Sequence, residues 1–164
     1  ANVADLGLGA ETARRVNQSS KALGGRLSFL WGAIATTLVY QPKQAKVQLD
    51  GGPVVEGRLS MVVVANGRYH AGGMFLAPQA DPADGQFDVL ILEAVGKLDL
   101  IGNLLPRVYA GRHLTHPRVK AFRAARLRVW SAEPMLLELD GEQPGRAEAE
   151  FRVVPKALNV IVGA

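Results

Sequence analysis

The stretch AKVQLDGGPVVEGRLSMVVVANG, residues 45–67, is the part of the sequence that decides the fold. Apolar residues dominate its two arms, Ala45–Leu49 and Val54–Ala65, and a turn signal at Asp50-Gly51-Gly52 separates them. Glycine accepts positive φ and aspartate hydrogen-bonds its own backbone, so Asp-Gly pairs commonly form tight turns. The second arm ends at another turn signal, Asn66-Gly67. We therefore predict two strands joined by a turn.

Upstream of these strands the pattern becomes helical. NVADLGLGAETARRVNQ, residues 2–18, predicts a strand followed by a helix, and Arg26–Tyr40 predicts a second helix that Pro42 terminates. The uncharged run from Leu27 to Pro42 is shorter than the roughly 20 apolar residues that span a bilayer. We expect it to form a buried or interfacial helix instead.

Downstream, FDVLILEA (87–94) predicts a strand and Leu98–Val108 predicts a helix interrupted by Pro106. The remaining predicted strands are Arg118–Phe122, Ala125–Ser131, Pro134–Leu139, Glu150–Val154 and Leu158–Val162. Many short strands with two or three helices predict a mostly-β sandwich, α+β in content, with the helices packed at its edges. The chain has 164 residues, a length that suits a single domain over 1–164. Without βαβ alternation or a glycine-rich phosphate loop, a self-contained nucleotide-binding fold is not expected.

Composition and charge narrow the function classes. The chain has no cysteine, which excludes disulfides and thiolate metal sites and agrees with a reducing cytosol. It begins at Ala1 without a basic n-region followed by a cleavage site, so we do not expect a signal peptide. It also begins without a methionine, so we expect that a preceding segment was removed.

Charge is distributed unevenly along the sequence. Residues 100–132 contain no acid but many basic residues: Arg107, Arg112, Arg118, Lys120, Arg123, Arg126 and Arg128. This basic window is either a solvated strand face with arginine stems over apolar surface or a site that attracts phosphate on lipid, nucleotide or nucleic acid. No nucleic-acid-binding motif accompanies it, so nucleic acid is not expected as a partner.

Two acidic motifs are candidate sites. In LLELDGEQPG (136–145), Asp140 and Glu142 flank a glycine; they form either a tight turn or, on an extended strand, a pair of acids on one face. In QADPADGQFDV (79–89), Asp81, Asp84 and Asp88 crowd a short loop. That loop is either a hairpin turn at Asp84-Gly85 or a site for a hard cation such as Mg²⁺ or Ca²⁺.

A third candidate, NGRYHAGGMFLAP (66–78), combines glycines with the apolar run Met74–Leu76. Glycines permit close approach, so this segment suits either a lipid or small-molecule pocket or plain core packing. The three histidines, His70, His113 and His116, share no metal-binding spacing, and we do not expect a zinc site.

Taken in order, these segments resemble the C-terminal domain of the bacterial diacylglycerol kinase and related lipid kinase family. The segments that carry the resemblance are ANVADLGLGAE (1–11), VVVANGRYHAGGMFLAPQADPADGQFDVLIL (62–92), LPRVYAGRH (105–113), HPRVKAF (116–122), LELDGEQ (137–143) and FRVVPKALNVIV (151–162). Together they extend over essentially the whole chain. One departure is Ala71 before Gly72-Gly73, where the family has three glycines.

The resemblance implies a two-domain enzyme that transfers the γ-phosphoryl group of ATP to a lipid hydroxyl. The family's nucleotide-binding GGDGT motif is absent from this sequence. The chain therefore looks like the lipid-substrate half, inactive alone, with ATP and Mg²⁺ held mainly by an N-terminal partner domain.

Carried over by position, Asp140 is implied as the catalytic base for the lipid hydroxyl, with Glu142 in support. The 81–86 loop is implied to hold a structural Mg²⁺ or Ca²⁺ through the Asp84 side chain and the carbonyl oxygens of Asp81 and Gln86. The expected acceptor is diacylglycerol, and the expected location is the cytoplasm, at the inner face of an anionic membrane. The alternative is a non-catalytic lipid- or ligand-binding sandwich, and the oligomeric state, a homodimer included, stays open.

Overall fold

The computed structural model describes residues 1–18, 25–71 and 73–158. Its strands are β1 (Val3–Gly7), β2 (Lys43–Leu49), β3 (Val54–Ala65), β4 (Tyr69–His70), β5 (Met74–Phe75), β6 (Phe87–Glu93), β7 (Val119–Ala124), β8 (Arg126–Ser131), β9 (Leu136–Leu139), β10 (Glu142–Arg146) and β11 (Ala149–Arg152). Its helices are α1 (Leu8–Gln18), α2 (Gly25–Val39), α3 (Lys97–Asp99) and α4 (Leu105–Tyr109). A π-helical segment, Leu100–Leu104, joins α3 to α4, and a 3₁₀ turn covers His113–Thr115.

One large antiparallel sheet organises the chain. Its strand order is β10-β9-β1-β3-β2-β8-β11. In addition, β6 pairs with β3, and β7 pairs with β6. The long strand β3 pairs with β2 over Val54–Leu59 and with both β1 and β6 over Met61–Ala65. The small hairpin of β4 and β5 forms a separate two-stranded sheet.

Strand β3 lies between two apolar clusters, and successive side chains enter them alternately. Val62 and Val64 belong to the larger cluster, to which strands from both ends of the large sheet contribute. Val63 and Ala65 belong to a second cluster on the other face, under Leu76 and neighbouring loop residues. Burial on both faces explains why the sequence MVVVA is apolar throughout instead of alternating with polar residues. The mostly-β prediction with packed helices is confirmed.

Helix α2 packs against α1 and presents its opposite side to solvent. Thr36 and Thr37 are buried, whereas Trp31 and Leu38 are exposed. Gly32 makes the helix contact possible, because a Cβ there would lie 2.5 Å from Cγ2 of Val16. No helix within the described ranges is long and apolar enough to cross a membrane.

Most predicted elements are present, with informative differences. The predicted helix over Leu98–Val108 is divided, because Pro106 has no N–H to donate and its ring would clash in a regular α-turn. The wider π-turn at Leu100–Leu104 accommodates it immediately upstream. Strand β10 and the β4–β5 hairpin were not predicted, and the predicted strand at Leu158–Val162 lies almost wholly outside the described residues.

Candidate functional site

A cleft of about 590 Å³ opens beside the turn that follows β9. The start of β1, helix α1, the β4–β5 hairpin and the β9–β10 turn contribute its walls. Polar side chains that line it include Asn17, His70, Glu138 and Asp140. The cleft therefore gathers residues from both ends of the sequence.

Asp140 combines a turn with a position on this cleft. Its φ is +48°, in the left-handed region, and Gly141 follows at +96°. Its Oδ2 accepts a hydrogen bond from the amide of Asn2 at 2.8 Å, and its Oδ1 accepts one from the amide of Val3 at 2.9 Å. Burial opposes ionisation, but these two amide donors outweigh it and lower the pKa of Asp140. Asp140 therefore lies in a turn and lines the cleft at the same time.

Glu142 is placed differently from its predicted partner. It begins β10 opposite Leu139, is exposed, and is not among the cleft-lining residues. Its neighbour Gln143 instead reaches α1, where its side-chain amide donates to the carbonyl of Ala10 at 2.7 Å. The supporting role of Glu142 stays a prediction.

Sequence reasoning missed a trio at the base of the cleft: the buried acids Asp5 and Glu138 and the half-buried His70. The His70 Nε2 atom lies 3.7 Å from Oδ2 of Asp5 and 3.4 Å from Oε2 of Glu138. Asp5 is 3% exposed and Glu138 is 1% exposed. Asp5 Oδ1 and Glu138 Oε2 have no hydrogen-bond partner in the described part of the chain.

The sheet register brings the two carboxylates together. Asp5 on β1 is directly opposite Glu138 on β9, so both side chains project to the same face. Gly9 leaves room for the Asp5 carboxylate, since a Cβ there would lie 2.4 Å from Oδ2 of Asp5. The available sequence signal was a single acid in each of two otherwise apolar strands, VADLG and LLEL.

Electrostatics separate the two acids of this trio. Burial, reinforced by repulsion from Glu138, raises the pKa of Asp5 well above its usual range. Burial also disfavours the ionised form of Glu138, but the imidazole of His70 and the amide of Gly141 outweigh it and lower the pKa of Glu138. The pKa values of the two acids are therefore shifted in opposite directions, so Glu138 ionises more readily than Asp5.

An apolar cavity of about 90 Å³ lies directly behind the trio. Both Asp5 and His70 line it, and His70 also lines the polar cleft. Its other walls are mainly aliphatic and come from α1, α2, β3, β5, β6 and the Leu100–Tyr109 segment: Leu8, Thr12, Ala33, Thr37, Met61, Met74, Leu76, Leu92, Leu100, Leu105 and Val108. The predicted pocket at residues 66–78 is thus partly realised through Met74 and Leu76.

The acidic loop is an ordered turn. Asp81 Oδ1 accepts the amide of Ala83, and Asp84 Oδ1 accepts the amide of Gln86, both at 2.9 Å. The other Asp84 oxygen pairs with Arg123. A cation bound to the Asp84 side chain would have to displace that arginine, and the site stays a prediction.

The basic window is largely neutralised by acids from other segments. Arg118 and Lys120 pair with Glu93, and Arg123 pairs with Asp84. Arg126 pairs with Glu150 on the neighbouring strand β11, and Arg128 pairs with Glu148 just before that strand. Of the window's arginines, Arg107 and Arg112 form no ion pair within the described ranges.

The glycine-rich hairpin holds Ala71 in an unfavourable backbone conformation. Ala71, where the resemblance implies glycine, has a φ of +39°. Only glycine adopts this region freely, so the backbone there favours the family residue.

A family model described as the YegS C-terminal NAD kinase beta sandwich-like domain matches residues 2–162. This chain belongs to that family. Among curated relatives, a diacylglycerol kinase of Bacillus subtilis is 25% identical over 161 residues, which are 98% of this chain and 52% of that protein. A probable YegS-like lipid kinase of Pseudomonas aeruginosa is 32% identical over 160 residues, 97% of this chain and 51% of that protein.

The fold of this family domain agrees with solved structures. A putative diacylglycerol kinase from Bacillus anthracis superposes with a TM-score of 0.68 at 19% identity, covering 94% of this chain and 49% of that one. The resemblance to the C-terminal domain of diacylglycerol and lipid kinases is confirmed. This chain spans about half the length of the curated relatives it matches.

Proposed function

We propose that this YegS-family domain is the lipid-substrate half of an ATP-dependent lipid kinase that phosphorylates diacylglycerol to phosphatidic acid. The observation that carries the proposal is the contact between the two cavities: His70 borders both the aliphatic cavity and the polar cleft. A lipid with part of its acyl chain in the aliphatic cavity would present its hydroxyl group to the polar cleft.

In this proposal the domain positions the lipid and takes its proton. ATP with Mg²⁺ supplies the phosphoryl group. It would be bound mainly by a separate nucleotide-binding half, since the matched relatives are about twice as long as this chain. Asp140 accepts the hydroxyl proton as the lipid oxygen bonds to the γ-phosphorus and the bond to the β,γ-bridging oxygen breaks, leaving ADP. A carboxylate is sufficient as the base because phosphoryl transfer depends mainly on positioning and charge stabilisation. Glu142 would support Asp140 from the adjoining strand.

The test is Asp140→Asn in the full-length protein, assayed for phosphorylation of diacylglycerol. Asp50→Asn is a matched control, because Asp50 also has positive φ in an Asp-Gly turn and also accepts backbone amides, those of Ala125 and Arg126. We expect Asp140→Asn to lower kcat about 100-fold or more, while Asp50→Asn changes stability only. Retained turnover in Asp140→Asn excludes the base role.

A lipid panel separates the proposal from its alternative. Diacylglycerol, phosphatidylglycerol, an undecaprenol-like alcohol and a sphingoid base each offer an apolar chain with a hydroxyl group. If the full-length protein binds one of them but phosphorylates none, the domain is a non-catalytic lipid-binding module.

We further infer that the domain works at the surface of an anionic membrane, on the cytoplasmic side. Trp31 and Leu38 are exposed apolar side chains on α2, which walls the aliphatic cavity. Leu98 is exposed on α3, which directly precedes the wall segment Leu100–Tyr109. Lys97 links these segments by donating to the carbonyl of Leu38. Arg107 lies on α4 and Arg112 lies after it, just before the 3₁₀ turn at His113. Their guanidinium groups suit lipid phosphates.

A further inference from the structure

The trio of Asp5, His70 and Glu138 has no part in the proton transfer proposed above. We propose that these three residues form a binding site for one transition-metal ion of the Mn²⁺ or Zn²⁺ class. The proposal concerns metal binding alone, so it stands or falls independently of the lipid kinase activity.

The geometry suits a common ion. One ligand atom from each residue lies within 4.8 Å of the other two, and two of these separations are 3.4 and 3.7 Å. Ligand atoms that are each about 2.1 Å from one ion lie at most about 4.2 Å apart. Small side-chain rotations would therefore bring all three atoms to bonding distance.

Unpaired buried oxygens point to a missing partner in this site. Glu138 Oε2 is buried, faces His70 at 3.4 Å, and has no hydrogen bond from the described residues; Asp5 Oδ1 is likewise unpaired. Two carboxylates removed from water are costly unless a cation or hydrogen-bond donors compensate them. The single imidazole of His70 provides at most one positive charge between them.

The donor set determines which metals fit. One imidazole with two carboxylates suits Mn²⁺, Fe²⁺ or Zn²⁺, whereas Mg²⁺ and Ca²⁺ prefer oxygen ligands alone. His70 and Glu138 line the open cleft, so an ion could enter from solvent and keep coordination positions for water. The three ligands come from β1, β4 and β9, and two of those strands are neighbours in the large sheet.

The experiment uses metal-free full-length protein without nucleotide, carrying Asp84→Ala so that the predicted loop site does not contribute. Mn²⁺ is titrated in the presence of excess Mg²⁺, and free Mn²⁺ is followed by electron paramagnetic resonance. We expect about one bound Mn²⁺ per chain and a loss of at least tenfold in affinity in Glu138→Gln and in His70→Gln.

Two features keep the outcome decisive. His116→Gln is the matched control, because His116 forms another imidazole–carboxylate pair, with Asp99 at 3.1 Å, outside the trio; it should bind Mn²⁺ as the parent does. Since His70 lies on a short hairpin, its variant is expected to fold, and circular dichroism checks this. If Mg²⁺ abolishes Mn²⁺ binding, or if both variants bind as the parent does, the site does not exist.

Discussion

Gly7 shows how one residue fixes the junction between β1 and α1. Its φ is +99°, and a Cβ there would lie 2.6 Å from the carbonyl oxygen of Ser60 and 2.8 Å from the hydroxyl of Tyr40. Neither a side chain nor a normal φ fits, so the close approach of β1 to β3 depends on glycine. The same junction leads the chain from Asp5 directly into α1, both of which border the candidate site.

Gly7→Ala should therefore be strongly destabilising. We expect a decrease in the free energy of unfolding of at least about 2 kcal/mol from strained backbone and overpacking, measured by urea denaturation. Gly57→Ala in β3 is the control, because no atom lies within 4 Å of its added Cβ and its φ is not positive. Equal stability of the two variants would contradict this account of Gly7.

His113 should make stability depend on pH. Its Nε2 atom lies 2.8 Å from the carbonyl oxygen of Leu76, to which it donates, while its buried Nδ1 has no partner within the described ranges. Burial lowers the pKa of His113 below its ordinary value, although the bond to Leu76 opposes this effect. Below about pH 6.5 the unfolded chain therefore gains a proton that the folded chain does not bind.

The sign follows from linkage. Above the unfolded pKa, His113 is neutral in both states and its titration does not affect stability. As pH falls below the unfolded pKa, the free energy of unfolding decreases by at most about 1.4 kcal/mol per pH unit. We expect the difference in free energy of unfolding between wild type and His113→Gln to shrink from pH 7.5 to pH 5.5, measured by urea denaturation. Parallel pH profiles of the two proteins would show that His113 is not buried in its neutral form.

At the level of elements, the acidic loop between β5 and β6 offers a direct test of the predicted cation site. The Asp84 side chain is the implied ligand, whereas Asp81 and Gln86 would contribute only backbone carbonyls. If the site binds a cation, Ca²⁺ or Mg²⁺ should raise the unfolding temperature of the parent protein, and Asp84→Ala should abolish that rise. Asp81→Ala, which removes only a side chain that accepts the amide of Ala83, should retain most of that rise. A rise of the same size in Asp84→Ala removes the cation site.

Local chemistry made most elements predictable. Turn residues at Asp50-Gly51 bounded β2 and β3, and the apolar run of β3 marked the centre of the sheet. Asp140 was a candidate from its contiguous Asp-Gly-Glu motif, and it lines the cleft, while its catalytic role stays a prediction. The partnership of Asp5 with Glu138 was not predictable, because it depends on pairing between β1 and β9, which are more than a hundred residues apart in sequence. Glu142 illustrates the converse: proximity in sequence did not place it on the cleft.

For the whole molecule, net charge is a poor guide to which basic side chains on the surface lack an acidic partner. The formal charge is +4, but five of the seven Lys and Arg residues in the basic window pair with acids on the large sheet or its loops. These pairs support the interpretation of this part of the window as a solvated face. The other two arginines, Arg107 and Arg112, lie in or next to the helical segment Leu100–Tyr109, which walls the aliphatic cavity.

This distribution gives a prediction about membrane binding that total charge would not give. If Arg107 and Arg112 meet lipid phosphates, replacing both by glutamine should weaken binding to phosphatidylglycerol vesicles by about 2 kcal/mol, or about 30-fold, measured by co-sedimentation of the full-length protein. Arg126→Gln with Arg128→Gln changes net charge equally but removes cations that are already paired, and should have a much smaller effect. Binding should also weaken as salt rises, because surface charges are screened. Equal losses in the two double variants would mean that only net charge matters, and the proposed membrane-facing surface would then be wrong.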